Sequence, residues 1–565
     1  MKKSIIWIVA AVLLVGAAVA AFMFSSDERT AAKIEEYPVV CYLDLHQLAE
    51  KGAFEEFITH DNRSFVASLL SSQVDDSKAA QHLKDIITDL DAIGIDTKQP
   101  ICCYLTSDFN GMVLVAKVLS AEKLDSTISL ISYFLKDFDE EALTVTTKGK
   151  TRSIEGEYFA VAYNESLIAL ACADSDKGIL NSANEAVNRT KVDFSVFGAA
   201  DFAVLVNVDK CLKATQQQVE ESLSVLQQQY NAGDIDEEEY MAMVESASEF
   251  DDIFEPYAKY IGENARVMLS TTFDKGRLTF ACSTEGINYG DEMDFMKRVN
   301  TDHLANLSEN AYAVAGMGLD GAKVAQYIRD FVTDEMLESI GVALSSEIKM
   351  GMSIACDALE TIDGGVTIAL NSVKGDMTKR YDYYWDEYRV EPSINSVDAI
   401  LLADVNDTYI IGNVAQFAGG YLNKVDAKHY NMNMMGYNFT MGQDDNLFHI
   451  GVNMTPAKKS PSALDANWLK DVKKSTSYIV LNVDAVMDSK FMSSVNKYLE
   501  GSMDKNERKL YRQVTDMISY IYVAADSYES AEFVVVFDDQ DTNALKQINN
   551  LVMPTLINTC VSSIY

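Results

Sequence analysis

Four times along the chain, a short apolar run ends in Asp and gives way to apolar residues at helical spacing. The runs are Val39–Asp44, Ala203–Asp209, Val314–Asp320 and Ile479–Asp484. A run of four to eight apolar residues predicts a buried strand, and the change of period after it predicts a helix. Asp44 and Asp209 are 165 residues apart and Asp320 and Asp484 are 164 apart, while corresponding copies are offset by 276 and 275. Such regular spacing implies duplication.

Each run is followed by a helical stretch and then by two apolar segments around a turn, the pattern of a β-hairpin. The predicted hairpins pair Ile101–Leu105 with Met112–Val118, Val267–Thr272 with Arg277–Cys282, Met352–Cys356 with Val366–Leu370, and Ile521–Ala525 with Glu532–Phe537. Asn110-Gly111, Lys275-Gly276 and Asp363-Gly364-Gly365 supply turn residues able to take positive φ. A further hairpin lies between the copies: Gly156–Val161 with Leu167–Leu170, and Gly436–Met441 with Leu447–Ile450. The pattern therefore predicts an α+β fold of two tandem pseudo-repeated halves, 36–296 and 297–565, each an antiparallel sheet of hairpins packed with helices. Only seven prolines occur and no Pro-rich or Ser/Gly-rich linker separates the halves, so close packing between them is expected.

Two segments depart from this repeat. Residues 216–248 read as an inserted helical hairpin turning at 231–235, with Gly233 suited to a helix C-terminus and Asp236-x-x-Glu239 to a capping box. Residues 226–240 resemble a short helical-hairpin motif of many bacterial proteins, which implies docking or oligomerisation at most. At the other departure, Met1-Lys2-Lys3 precedes an apolar run from Ile5 to Phe24, with residues 25–35 as a linker. About 20 such residues span a bilayer, so 1–24 reads as a signal anchor that holds the membrane through residues 4–24. A cleaved signal peptide with Ala18-Val19-Ala20 at the cleavage site is the alternative, and it would release the protein by secretion. Either reading exports the bulk of the chain, because the two lysines remain cytoplasmic.

Composition narrows the partners. There are 47 Lys+Arg against 85 Asp+Glu, a net charge of −38, whereas nucleic-acid binding rests on clustered cations. Ten of the acids lie between Asp234 and Glu255 with no Lys or Arg among them. That local density marks 216–255 as a candidate surface for a protein partner. Most of the eight cysteines sit in short apolar runs and read as reduced core residues, with a disulfide as the alternative in an exported chain. Adjacent Cys102 and Cys103 are expected on opposite sheet faces.

Candidate chemistry is sparse. The six histidines form no metal-ligand spacing. Asp174–Gly178 with Glu185 departs from a calcium loop in its Gly position, and Gly149-Lys150-Thr151 lacks the first Gly of a phosphate loop. No G-x-S-x-G occurs, and S-x-x-K recurs at background frequency. No metal or cofactor is therefore assigned. The repeated Asp44, Asp209, Asp320 and Asp484 stand where a carboxylate caps a following helix, although strand ends are also where sites collect. Tyr381, Tyr384, Trp385 and Tyr388 recur at helical spacing among acids. Exposed, they would hold a sugar or peptide; buried, they would be one face of a helix. Met432, Met434, Met435 and Met441 are soft enough for copper(I), but packing is the plainer account.

The Tyr37-Pro38-Val39-Val40 entry into the first strand, Asp44–Lys51, and Leu90–Asp96 ahead of Gln99-Pro100-Ile101 carry a resemblance. With the export segment, they resemble a family of exported proteins of gut Bacteroidota that is catalogued only as a domain of unknown function, its members often lipoproteins. The resemblance covers the chain after residue 35 and brings no functional residues. The lipid-bearing Cys of that family is absent, which favours a membrane helix. The expected function is an extracytoplasmic, membrane-tethered binding or scaffolding protein of the cell envelope, of unknown ligand and with no evident catalytic site. The alternative is a carboxylate-dependent hydrolase acting on envelope polymers or glycans.

Overall fold

The computed structural model describes residues 37–564 apart from 73, 107–110, 136–144, 157–158, 174–178, 189–193, 238, 243, 245–259, 289–293, 332–345, 385, 408–409 and 413–420. Two compact units result. One takes the chain up to Asn288 together with 541–565, and the other takes Tyr289–Gln540.

In the first unit, β1 (Val39–Leu43) is the central strand. It pairs antiparallel with β2 (Ile101–Leu105) on one side and with β8 (Phe202–Asn207) on the other. Beyond β2 the order runs β3 (Gly111–Lys117), β7 (Leu167–Ala173), β6 (Phe159–Tyr163), β5 (Thr151–Glu155) and β4 (Thr146–Lys148). Beyond β8 it runs β9 (Ile261–Asp274) and β10 (Arg277–Ile287). Alternate residues Val40, Tyr42, Cys102, Tyr104, Val113, Val115, Ala203 and Leu205 form one core face. Helix Ile179–Asn188 closes it with Ala183 and Val187. Each large side chain removed from water there contributes about 1.5–3 kcal/mol. Cys102 lies in this core and Cys103 faces away opposite Cys41, as the strand period requires.

One buried ion pair fixes the edge where β1 ends. The Asp201 side chain is fully buried and accepts from Lys51 Nζ at 2.7 and 2.8 Å and from the Phe273 backbone N–H at 2.7 Å. Burial pushes its carboxyl up, against the pull of Lys51 and the Phe273 amide.

In the second unit the central strand is β12 (Ala313–Asp320), between β13 (Ile362–Asp382) and β19 (Ser477–Asn482). Past β13 come β14 (Glu387–Val405), β18 (Leu447–Val452), β17 (Tyr437–Asp444), β16 (His429–Met434) and β15 (Asn423–Lys424). Past β19 come β20 (Ile518–Ser527) and β21 (Ser530–Phe537), and the short β11 (Met296–Lys297) pairs with the end of β12. The core face gathers Val314, Ala369, Leu402, Tyr478, Val480 and Tyr522 under Trp468, Leu304 and Leu307.

The turn Thr301–Asn306 is pinned to this sheet by polar contacts. His303 stands 3.0 Å from Thr367 Oγ1 and 3.0 Å from Asp404 Oδ1. Asp404 also accepts from Asn300 at 2.9 Å and from the Gly365 N–H at 2.8 Å. Burial raises the Asp404 carboxyl, but the bonds from His303, Asn300 and Gly365 outweigh it and hold the group below the usual carboxylate range.

The expectation of two tandem pseudo-repeated halves is overturned. The described residues hold 21 strands in antiparallel pairing with helices, and the compact units cut across the 36–296 and 297–565 boundaries. Helix Ala544–Ile564 belongs with the first unit, where Asn549 donates to the Gly52 carbonyl at 2.9 Å and Lys546 meets Glu56 at 2.6 Å. Spacing reveals repetition of a strand; it does not reveal where the last helix docks. The expected hairpin of Met352–Cys356 with Val366–Leu370 is also corrected. Ser346–Leu359 is a helix, and Val366–Leu370 lies in β13 between β12 and β14. Ile348, Met352, Cys356 and Leu359 are four, four and three residues apart, a helical period masked by the extra Met350 and Ile354. Gly364 and Gly365 are not a turn there; they let Asp404 approach β13, a Cβ on Gly364 meeting its carboxylate at 2.9 Å. The export segment 1–24 falls outside the described residues, among which no helix is long and apolar enough to cross a membrane.

Lys51→Met leaves a buried carboxylate short of its cation and is expected to cost about 3–5 kcal/mol, read as a lower urea midpoint, with Asp201→Asn added to it recovering part of the loss. For Asp404 the depressed folded-state value means that its contribution is full above the unfolded value of about 3.9 and is lost as pH falls through the folded one. Asp404→Asn is therefore expected to flatten the stability profile below about pH 4, measured by thermal unfolding across pH.

Candidate functional site

Strands β13 and β14 do not stop where their partners stop. Pairing of β12 ends at Leu370 and pairing of β18 ends at Ala399, yet β13 and β14 remain paired with each other out to Asp382 and Glu387. Residues 371–398 thus form a two-stranded arm. Two bulges mark its base, with Asn371 extra on β13 and Asn395 extra on β14; bulges increase local twist and redirect a strand. Asn371 accepts from the Ser308 N–H at 3.0 Å, and Asn453 donates to the Val397 carbonyl at 2.8 Å.

Register sorts the arm into two faces. Val373 and Val397, Gly375 and Ile394, Met377 and Pro392, Lys379 and Val390, and Tyr381 and Tyr388 are cross-strand partners on one face. The other carries Asp376 and Ser393, Thr378 and Glu391, Arg380 and Arg389, and Asp382 and Glu387. An isolated two-stranded ribbon is marginal in water, and helix Lys490–Ser502 supports this one. Phe491 fits the space left by Gly375, where an added Cβ would stand 2.7 Å from its ring and closer still to the Ser393 carbonyl.

The tip collects the aromatics. Tyr381 contacts Tyr388 edge to face at 5.1 Å and Tyr383 at 5.0 Å, and Lys379 Nζ lies 4.8 Å from the centre of the Tyr388 ring. The Tyr381 hydroxyl donates to Asp386, and that bond raises its phenol above the usual range. Asp382 accepts from the Tyr384 N–H at 2.9 Å, and Asp386 turns the chain at φ 52. Tyr383, Tyr384 and Tyr388 are 90%, 85% and 64% exposed. Helical spacing of Tyr381, Tyr384 and Tyr388 therefore arises in a hairpin, not a helix, and register rather than a turn of helix brings Tyr381 to Tyr388. The tyrosines and Val390 favour strand. Trp385 lies outside the described residues. Tyr383, next to the predicted set, is the residue the helical spacing passes over.

The repeated aspartates go elsewhere. Asp44 caps helix Leu45–Gly52 by accepting from the Gln47 N–H at 3.0 Å, and Asp320 meets the Lys323 N–H at 3.3 Å at the start of helix Gly321–Phe331. Asp209 and Asp484 lie inside helices Val208–Ala232 and Val483–Met487, where Asn207 and Asn482 take the cap position. Asp209 pairs with Lys213 at 2.8 Å. Antiparallel pairing puts Asp44 beside the start of β8 and Asp320 beside the start of β19, so Asp209 and Asp484 leave from the opposite edges. The four carboxylates do not converge. Asp484 instead accepts from Ser519 near Asp538, whose carboxyl is raised by burial and then by Asp484, Asp516 and Asp488.

Other candidates disperse as well. Met441 is buried while Met435 is 90% exposed at a turn. His429 lies between Asp426 at 2.9 Å and Asp444 at 3.2 Å. His449, behind it, is buried and held down to about 4 by that burial. No group of three or more His, Cys, Asp or Glu suited to a metal occurs among the described residues. In the inserted segment, Gly233 ends helix Val208–Ala232 in the left-handed conformation and Asp236 accepts from the Glu239 N–H at 2.9 Å. Tyr240 stacks on Tyr230 at 4.9 Å, so the helical turn expected at 231–235 is present. The preceding helix, however, begins at Val208 rather than at 216.

A family model described as Domain of unknown function (DUF4836) matches residues 35–545. The chain belongs to the DUF4836 family. Comparison with curated proteins returns no match. Among solved structures, crystal form III of TP0453 is 8% identical to this DUF4836 chain over 48% of it and 80% of TP0453, with a TM-score of 0.21. Crystal form IV is 9% identical over 44% and 76%, also at 0.21. Likeness at that level carries no argument, and the DUF4836 match brings no assigned residues.

Gly375→Val is expected to displace Phe491 and loosen the DUF4836 arm without unfolding the sheet. Limited proteolysis within 371–398 should speed up about tenfold, the factor that ~1.4 kcal/mol of lost packing produces.

Proposed function

We propose that this DUF4836 protein is a binding or scaffolding protein of the cell envelope, exported and tethered by its N-terminal apolar segment, and that the β13–β14 arm is its contact element. The observation that carries the reading is the cluster of exposed tyrosines at the end of a supported ribbon. Folded chains seldom leave several large aromatic side chains in water, and contiguous exposed apolar surface marks interaction sites. Tyrosine gives contact area at low entropic cost because only two side-chain torsions are fixed on binding. Asp386, which accepts from the Tyr381 hydroxyl, and Lys379, beside the Tyr388 ring, supply polar partners at the rings, the combination that fits a sugar or a peptide.

The test is affinity capture of the full chain from its membranes with Tyr383→Ala, Tyr384→Ala and Tyr388→Ala combined, against the unaltered chain. The expected result is one or more species depleted at least about tenfold, as for loss of a binding hot spot, with an unchanged thermal unfolding midpoint. An identical set of captured species would contradict the proposal.

A further inference from the structure

The second unit's sheet has another face besides its core face, apolar and open across β21, β20, β19, β12 and much of β13, whereas on its far side Ala403, Phe448 and Met441 are buried with Ile410 and Ile411. Antiparallel sheets that are packed on one side ordinarily alternate to polar residues on the other. Here the registered row that crosses β21, β20, β19, β12, β13, β14 and β18 runs from Phe533 through Val523, Ile479 and Ile368 to Ile450. Its remaining positions are Ala315 and Leu401. Ile479 is 58% exposed and Ile368 54%. The neighbouring row, from Val535 through Leu481 to Val452, is apolar at every strand as well.

We propose that this face docks a second copy of the same chain, sheet against sheet about a twofold axis. Three observations select that occupant. The two rows carry no charge, in a chain whose net charge is −38, so this face lets two copies meet without bringing carboxylates together. Its relief is self-complementary: Ala313 and Ala315 make a trough on β12 between ridges of Ile479 and Leu481 on β19 and Ile368 on β13. A twofold axis lying between the two sheets, parallel to the strands and over the boundary of β12 and β19, lays the β19 ridge of one copy into the β12 trough of the other, the isologous contact of a closed dimer. Its size also suits. Seven strands by two to three rows give a footprint of roughly 30 by 20 Å, which with side-chain relief approaches the ~800 Å² per partner of a stable interface. Aligned sheets packed this way sit about 10 Å apart.

The test places a benzophenone photo-crosslinking residue at Ile479 in the full chain, in its own membranes. Irradiation is expected to give a covalent species of twice 62.6 kDa, shown by mass spectrometry to contain two copies. Ile368→Lys, or the milder Val523→Gln should the first not fold, is expected to reduce that species at least tenfold while leaving the thermal unfolding midpoint in place. Cross-links only to lipid, only to another protein, or to nothing would overturn the proposal. So would a dimer band that neither variant reduces.

Discussion

Each unit is organised by one strand that must find partners on both sides at long range. In β1, Cys41 faces Cys103 on one side and Val204 on the other; in β12, Ala315 faces Ile368 and Ile479. Neither strand can form until segments more than fifty and more than a hundred and sixty residues along have arrived, a heavy demand on loop closure. Once the pairings exist, their antiparallel sense puts Val40, Tyr42, Val314 and their neighbours on the core face. It also sends successive strand-to-helix junctions to opposite edges, so that residues repeated in sequence are separated in space.

The same register gives the second unit its arm. Strands β13 and β14 continue their ladder beyond the ends of β12 and β18, after two bulges that leave the alternation of faces intact. The apolar side of the arm is thereby in register with the apolar second face of the sheet. Helix Lys490–Ser502 meets that side with Phe491 at Gly375, and the tyrosines at the tip stand in water. The functional reading rests on this arrangement of support and exposure, and on no catalytic group.

Local signals in the sequence were informative where two strands adjoin. Lys275-Gly276 between β9 and β10 is a turn with Gly276 at φ 63, and the hairpins of β2 with β3, β6 with β7, β17 with β18 and β20 with β21 all form. Two kinds of misreading have physical causes. The first is period: Met352–Cys356 fits a strand and Tyr381 to Tyr388 fits a helix, because a few residues suit either spacing. The second is long range. That Asp363-Gly364-Gly365 admits Asp404 rather than turning the chain, and that helix Ala544–Ile564 returns to Gly52 and Glu56, depends on residues far off in sequence. The caps illustrate both. Asp44 and Asp320 occupy the predicted position, whereas an Asn two residues earlier displaces Asp209 and Asp484 from it.

The central claim is that strand register, carried outward from β12, holds residues 371–398 as a formed ribbon with its aromatic end in solvent. Hydrogen–deuterium exchange of the full chain, resolved to short peptides, tests it most directly. Exchange is predicted to be slowest in β12 and β19, with measurable protection in peptides from 372–382 and 387–398, where alternate amides pair across the ribbon and those between them face water. Exchange across 371–398 at the rate of an unpaired chain, with β12 and β19 still protected, would contradict it.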